Sequence, residues 1–168
     1  MNVGTRLSIL AILWVFLAGC ASDPETVTVS LEVERAAIDQ LLDDFYQYAS
    51  TADSARYVDL FHHTGYFIGT DATERWTRDA FANYLGPYFR QGRGWSYEPI
   101  DRVVTLAPDG RYAWFDEALR SASYGTSRGT GSAIKTSEGW KITQYHLSFP
   151  VPNAMARAFT DQVKAAGY

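Results

Sequence analysis

WSYEPIDRVVTL (residues 95–106), RYAWFDEALRS (111–121), SRGTGSAIKT (127–136) and WKITQYHLSF (140–149) are four runs rich in aromatic and β-branched residues, the composition of strands. The segments between them hold Asp109-Gly110, Gly125-Thr126 and Glu138-Gly139, pairs that favour tight hairpin turns. The reading is therefore a meander of four antiparallel strands. Treating each pair as a two-residue loop sets a trial register. It places Arg102 opposite Glu117, Val103 opposite Asp116, Glu117 beside Ile134, Arg120 beside Gly131, Ile134 opposite Thr143 and Gly131 opposite His146.

Upstream of the meander the periodicity is helical. From Glu32 to about Ser50, Ile38, Leu41, Leu42, Phe45 and Ala49 form a stripe with one buried face. Asp53 is placed to cap a short second helix carrying Ala55, Val58 and Phe61 toward the same core. Residues 65–69 read as a short strand. Thr77 then caps a third helix with Phe81, Tyr84, Leu85, Tyr88 and Phe89 on one face, which Pro87 is expected to kink or end near Gly86. After Pro150 and Pro152, a last helix capped by Asn153 carries Met155, Phe159 and Val163. Helices followed by a strand meander mean an α+β fold, with the helices packed on one sheet face.

This order of elements resembles the nuclear transport factor 2-like superfamily, and within it the SnoaL-like members. The local match runs through residues 67–76, Ala113-Trp114-Phe115-Asp116-Glu117, Arg128-Gly129-Thr130-Gly131 and residues 140–147, covering about residues 34–152. The resemblance implies a cone-shaped pocket between N-terminal helices and a curved, mainly antiparallel sheet, with a C-terminal helix added. It implies little about chemistry, because that superfamily hosts isomerases, cyclases, dehydratases, hydrolases and binders that catalyse nothing.

The first twenty residues carry a separate signal. Arg6 precedes an apolar run, Leu7–Leu17, then Ala18 and Gly19, then Cys20, which is the layout of an export signal. The run is about 11 residues, whereas crossing a bilayer core takes roughly 20. Leu17-Ala18-Gly19-Cys20 resembles the lipobox of bacterial lipoproteins, which implies cleavage before Cys20 and acylation of its thiol. Cys20 is the chain's one cysteine, so no disulfide can form within it. The expected organisation is a cleaved signal peptide (1–19), a lipidated cysteine and short tether (20–30), and one SnoaL-like domain (31–168). The expected location is the bacterial cell envelope, lipid-anchored and periplasm-facing. Ala21, rather than an aspartate, after the cysteine favours the outer membrane by that same resemblance.

The chain has 168 residues and a net charge of −4, with no basic run. Nucleic acid is accordingly not an expected partner. Three histidines and one cysteine, without ligand spacing, argue against a metal, and no cofactor motif occurs. His62-His63 is read as the end of the second helix, where a cation complements the C-terminal dipole. Arg128-Gly129-Thr130-Gly131 lies within a strand and is no phosphate loop. Glycine there marks a bulge or a close backbone approach.

Alternation along the strands divides the sheet into two faces. Ile100, Arg102, Val104, Phe115, Glu117, Leu119, Ile134, Tyr145, Leu147 and Phe149 share the more apolar one, assigned to the pocket side. Asp101, Val103, Trp114, Asp116, Arg120, Lys135, Ile142, Gln144 and His146 share the other. Glu117 is then a carboxylate in a mainly apolar wall, with Arg102 across the strand and Tyr145 nearby. Desolvation raises a carboxyl pKa and a cation lowers it, so Glu117 can be an acid or base with Tyr145 orienting the substrate, or a fixed structural partner of Arg102. Trp76, Arg102, Phe115, Leu119 and Leu147 are the expected pocket lining. Asp116 and His146 form a reserve pair should the faces be exchanged.

Three functions stay open on the sequence. One is a tethered protein that binds a small apolar or aromatic molecule. Another is an isomerase, dehydratase or hydrolase using Glu117. The third is an interaction module that forms a homodimer, or docks an envelope protein, through the outer sheet face.

Overall fold

The computed structural model describes residues 24–168. Cys20, the signal segment before it and the first residues of the tether lie outside them. The elements run α1 (Pro24–Ser50), α2 (Ser54–Asp59), β1 (Phe61–Ile68), β2 (Arg75–Thr77), α3 (Arg78–Phe89), β3 (Glu98–Leu106), β4 (Tyr112–Ser121), β5 (Gly125–Thr136), β6 (Gly139–Ser148) and α4 (Asn153–Ala165). Six strands form one sheet in the order β2-β1-β6-β5-β4-β3. The meander is antiparallel throughout, and β1 joins it parallel to β6. The α+β reading therefore holds.

The helices meet the sheet through the expected stripes. Ile38, Leu41, Leu42, Phe45 and Ala49 of α1 are all buried, and so are Phe81, Leu85 and Phe89 of α3, whereas Tyr84 and Tyr88 of the expected α3 stripe are exposed. Asp53 caps α2 by accepting from the Arg56 amide, and Thr77 caps α3 by accepting from the Ala80 amide. Three local expectations change. α1 starts at Pro24, ahead of Glu32. Tyr57, rather than Ala55, is the buried residue of α2, and Phe61 opens β1. Pro87 sits inside α3, which continues to Phe89. At the C-terminus Asn153 is the first residue of α4, with Pro152 in the capping position, and no α4 residue is buried. Among the described residues no helix is long and apolar enough to cross a membrane.

The turns explain where the trial register fails. Arg102 faces Glu117 and Val103 faces Asp116, as expected from Asp109-Gly110. The next turn is longer. Ser121 pairs with Gly125, leaving Ala122 to Tyr124 as a three-residue loop that closes on Gly125 at φ +71°. Glu117 consequently faces Gly129 instead of Ile134, and Arg120 faces Thr126 instead of Gly131. This odd displacement turns Ile134 to the outer face and brings Ser127, Gly129 and Ala133 inward. In the last hairpin Thr136 pairs with Gly139, Ile134 with Lys141 and Gly131 with Tyr145. An irregularity beside Ser132 and Ala133 reverses the alternation of β6, so Ile142 is fully buried rather than on the outer face. A similar extra residue in β3 leaves Ile100 half-exposed.

Candidate active site and pocket

Glu117 is 0% exposed, on the helix-covered face of β4. Both its carboxylate oxygens are engaged. Arg102 donates from Nε to Oε1 at 2.5 Å, and Tyr46 of α1 donates its phenol proton to Oε2 at 2.5 Å. Arg102 is held in turn by α1. Its Nη1 donates to the Asp39 carbonyl at 2.9 Å and lies 3.0 Å from the Asp43 carboxylate. The guanidinium thus bridges β3, β4 and α1 at one point.

The Tyr145 hydroxyl stands 2.8 Å from that of Tyr46. A phenol has one proton to donate. Tyr46 gives its proton to Glu117, so Tyr145 is the donor in this second bond. The order of donation is therefore Tyr145 to Tyr46 to Glu117, with Arg102 closing the far end. Gly129, the register neighbour of both Glu117 and Leu147, makes room for this chain. A Cβ there would fall 2.4 Å from the Tyr145 hydroxyl and 3.2 Å from that of Tyr46. The close approach expected of the 128–131 segment is made by tyrosine hydroxyls.

Burial pushes the Glu117 carboxyl above the usual carboxylate range, while the Tyr46 bond and the Arg102 charge pull against that rise. Burial likewise drives the phenols of Tyr46, Tyr145 and Tyr57 far above their ordinary values, so all three stay protonated. The Tyr57 hydroxyl proton has no acceptor among the described residues: its ring is fully buried, and the Trp95 side chain beside the hydroxyl can only donate.

A cavity of about 280 Å³ opens beside this chain. Its walls include Phe67, Trp76, Phe81, Tyr84, Trp95 and Tyr97, and Leu147, Phe149 and Tyr124 close other sides. The rings pack on one another: Phe67 stacks on Phe81 at 4.0 Å between centroids, and Trp76 on Tyr84 at 4.5 Å. A second, inner cavity of about 10 Å³ shares Phe67, Trp95, Tyr97 and Leu147 with the first. Its remaining walls include Tyr46, Tyr57 and Tyr145.

Trp76 and Leu147 line the cavity as expected. Arg102, Phe115 and Leu119 do not: the arginine belongs to the charge cluster of Glu117, Asp39 and Asp43, and Phe115 and Leu119 are buried core. Tyr145 comes to the site through Tyr46. The sequence reading missed Tyr46, although it stands four residues after Leu42 and eight after Ile38, a hydroxyl on an apolar stripe that required a buried partner. It also missed Asp39 and Asp43. Asp116 and His146 lie on the outer face, in one row with Thr130 between them, away from the cavity. Arg120 is exposed and pairs with Glu98 at 3.3 Å. His62 and His63 belong to β1 and not to a helix end, so the capping role lapses; His62 Nδ1 lies 2.9 Å from the Thr64 hydroxyl.

Helices on one face of a six-stranded sheet, with an aromatic-lined cavity, fit one family of domains, whose model matches residues 38–152. The chain belongs to the SnoaL-like domain family. No curated protein matches it. Among solved structures, this SnoaL-like chain is similar to a nuclear transport factor 2-like protein with a cystatin-like fold from Novosphingobium aromaticivorans (TM-score 0.58, 19% identity, 82% of this chain and 97% of that one). Two further structures from that organism are also similar. One, provisionally named an aromatic ring hydroxylase, aligns with TM-score 0.62 at 18% identity over 72% of this chain and 92% of that one. The other, provisionally named a scytalone dehydratase, aligns with TM-score 0.62 at 16% identity over 74% and 89%. At these identities the likeness is one of fold.

Proposed function

We propose that this SnoaL-like domain binds a small apolar or aromatic molecule and is held at the bacterial envelope by a lipid on Cys20. The observation that carries the binding reading is the contrast between the cavity and the carboxylate. The cavity is walled mainly by aromatic rings, the surface that takes up flat apolar ligands, with Gly69, Thr70 and Glu74 completing its lining. Glu117 does not line it, and both its oxygens are occupied, so it is poorly placed to reach a substrate atom directly. Native mass spectrometry of protein purified from its own envelope identifies the ligand. A fully ligand-free protein that takes up no aromatic probe sinks the reading.

The Tyr145–Tyr46–Glu117 chain favours one second reading, an isomerase, dehydratase or hydrolase in which Glu117 exchanges a proton through the two phenols. Once a ligand is known, Glu117→Gln separates the two: a variant that binds it and shows no difference in turnover removes the enzyme. A homodimer through the outer sheet face is supported by Trp114, which is 53% exposed, and by half-exposed Tyr112 and Val103 beside it. Sedimentation of wild type against Trp114→Glu tests it, a monomeric wild type refuting it.

The anchor rests on the lipobox-like Leu17-Ala18-Gly19-Cys20 and on the lack of any other cysteine. Labelled palmitate should enter the wild-type chain and not Cys20→Ser. Soluble, unlabelled wild-type protein in the periplasm refutes it, and sucrose-gradient separation of the membranes tests the outer-membrane assignment.

A further inference from the structure

The inner cavity combines two unused hydrogen-bonding groups, and they are of opposite kinds. At its walls Tyr145 has spent its only proton on Tyr46, so its oxygen offers lone pairs and nothing to donate. Tyr57, another wall, keeps a proton with no acceptor among the described residues. A buried hydroxyl without a partner costs about 1–3 kcal/mol, and native proteins satisfy the large majority of such groups. The nearby Trp95 meets the Tyr57 ring edge-on, with centroids 6.1 Å apart, and supplies no acceptor. The cavity that Tyr57 lines is where a partner for it can enter.

The space fixes its size. About 10 Å³ is roughly the least that holds one water-sized group. The aromatic chamber, which shares four walls with it, is about 280 Å³ and has room for a ring system. One atom that accepts from Tyr57 and donates to Tyr145 meets both demands, and a neutral hydroxyl oxygen does so. A carbonyl or ether oxygen accepts from Tyr57 and leaves Tyr145 unmet. A carboxylate or phenolate donates nothing to Tyr145 and brings negative charge toward the buried Glu117.

We infer that the inner cavity is a hydroxyl-recognition subsite, which selects neutral phenols or alcohols of the apolar molecules the chamber admits and seats them hydroxyl first. Tyr57 is the donor and Tyr145 the acceptor. Arg102 and Glu117 act at a distance, holding the direction of the phenol chain. This rests on the chamber being a binding site for apolar molecules.

The test uses the full chain and isothermal titration calorimetry at neutral pH with 2-naphthol, 2-methoxynaphthalene and 2-naphthoate. The expectation is that 2-naphthol binds about tenfold or more tightly than the methoxy compound, the worth of one well-made buried hydrogen bond, and that naphthoate binds most weakly. Tyr57→Phe removes an unpaired buried hydroxyl, so it should fold with a melting temperature no lower than wild type. It should weaken 2-naphthol and the methoxy compound alike, about threefold to tenfold, because both oxygens accept from Tyr57, and leave the ratio between them close to that of wild type. Equal affinity of wild type for naphthol and its methyl ether, undiminished naphthol binding by Tyr57→Phe, or naphthoate as the tightest ligand each overturns the subsite while the chamber reading stands. No binding of any of the three overturns both.

Discussion

Asp116 and Glu117 are adjacent carboxylates on one strand, and the pleat sends them to opposite sides of the sheet. Glu117 enters the helix-covered side, where it is fully buried and held by Arg102 and Tyr46. Asp116 emerges on the outer side, exposed, in a row with Thr130 and His146. Sequence distance is one residue, and the physical environments have almost nothing in common. Inside, each polar group depends on a specific partner because no water replaces a lost one. Outside, solvent stands ready to do so. The polar groups of this fold are costly to disturb only on one face.

The sharpest way to break the contrast is to remove the inner cation. Arg102→Met leaves Glu117 buried without its charge partner, a change expected to cost about 3–5 kcal/mol in urea unfolding at neutral pH. The pH dependence has a definite sign. Burial has raised Glu117 above its unfolded value, so the folded protein holds that proton more tightly than the unfolded chain. The group's contribution is therefore full below the unfolded carboxylate pKa and is lost as pH rises through the higher folded value. Tyr46, Arg102 and Asp43 are the groups that face this titration. Wild type should accordingly lose stability as pH rises across that window, Arg102→Met should lose more, and Glu117→Gln should show no such slope. A variant equally destabilised at acidic and neutral pH contradicts the assignment.

Next in size is Gly129→Ala. Its methyl would fall 2.4 Å from the Tyr145 hydroxyl and must displace one or both phenols. Overpacking of this kind costs about 1–3 kcal/mol. The distinguishing readout is selectivity: with the phenol chain displaced, preference for 2-naphthol over its methyl ether should disappear, whereas binding of the ether survives. Retained selectivity would mean that Tyr145 does not set the floor.

Much of the inner face was legible in the sequence, for reasons that particular residues make plain. The apolar stripe of α1 and the Asp109-Gly110 turn are local signals, and together they place Arg102 against Glu117 across a hairpin that the chain makes with near neighbours. What escaped depends on features that local pattern does not encode. A turn closing on Gly125 one way or another moves β5 by an odd number of residues and turns Ile134 outward. The irregularity in β6 sends Ile142 into the core for the same reason. Tyr46 lies 71 residues from Glu117, a pairing that only the assembled cone creates. The tie between Gly129 and the two phenols was visible as an unexplained glycine, but not what fills the space above it.

A milder change probes the boundary between the two environments. Trp76 is only partly buried; it lines the chamber and stacks on Tyr84. Trp76→Ala should weaken 2-methoxynaphthalene binding about threefold to tenfold, the worth of one aromatic contact of about 0.5–1.5 kcal/mol. The naphthol-to-ether ratio should stay as in wild type, because Trp76 touches the body of the ligand and the phenols read its hydroxyl. A ratio that falls with the affinity would show that chamber and inner cavity are not separate in their work.

The smallest effect is expected on the outer face of the sheet. Asp116→Asn and His146→Ala, on the outer face, should each change unfolding free energy by no more than about 0.5 kcal/mol, as exposed substitutions do. Neither residue has a side-chain hydrogen bond or ion pair among the described residues that solvent would fail to replace. The same pair of variants also reports on the face as a whole. Should the outer sheet be covered by a second copy, Asp116 would lie in or beside the contact formed by Trp114 and Val103, and its replacement would acquire a cost. That cost would depend on protein concentration, since association stabilises by mass action. A small effect that is the same at low and high concentration keeps the two faces distinct. One that grows with concentration makes the outer face a buried interface, and the asymmetry between Asp116 and Glu117 then belongs to the monomer alone.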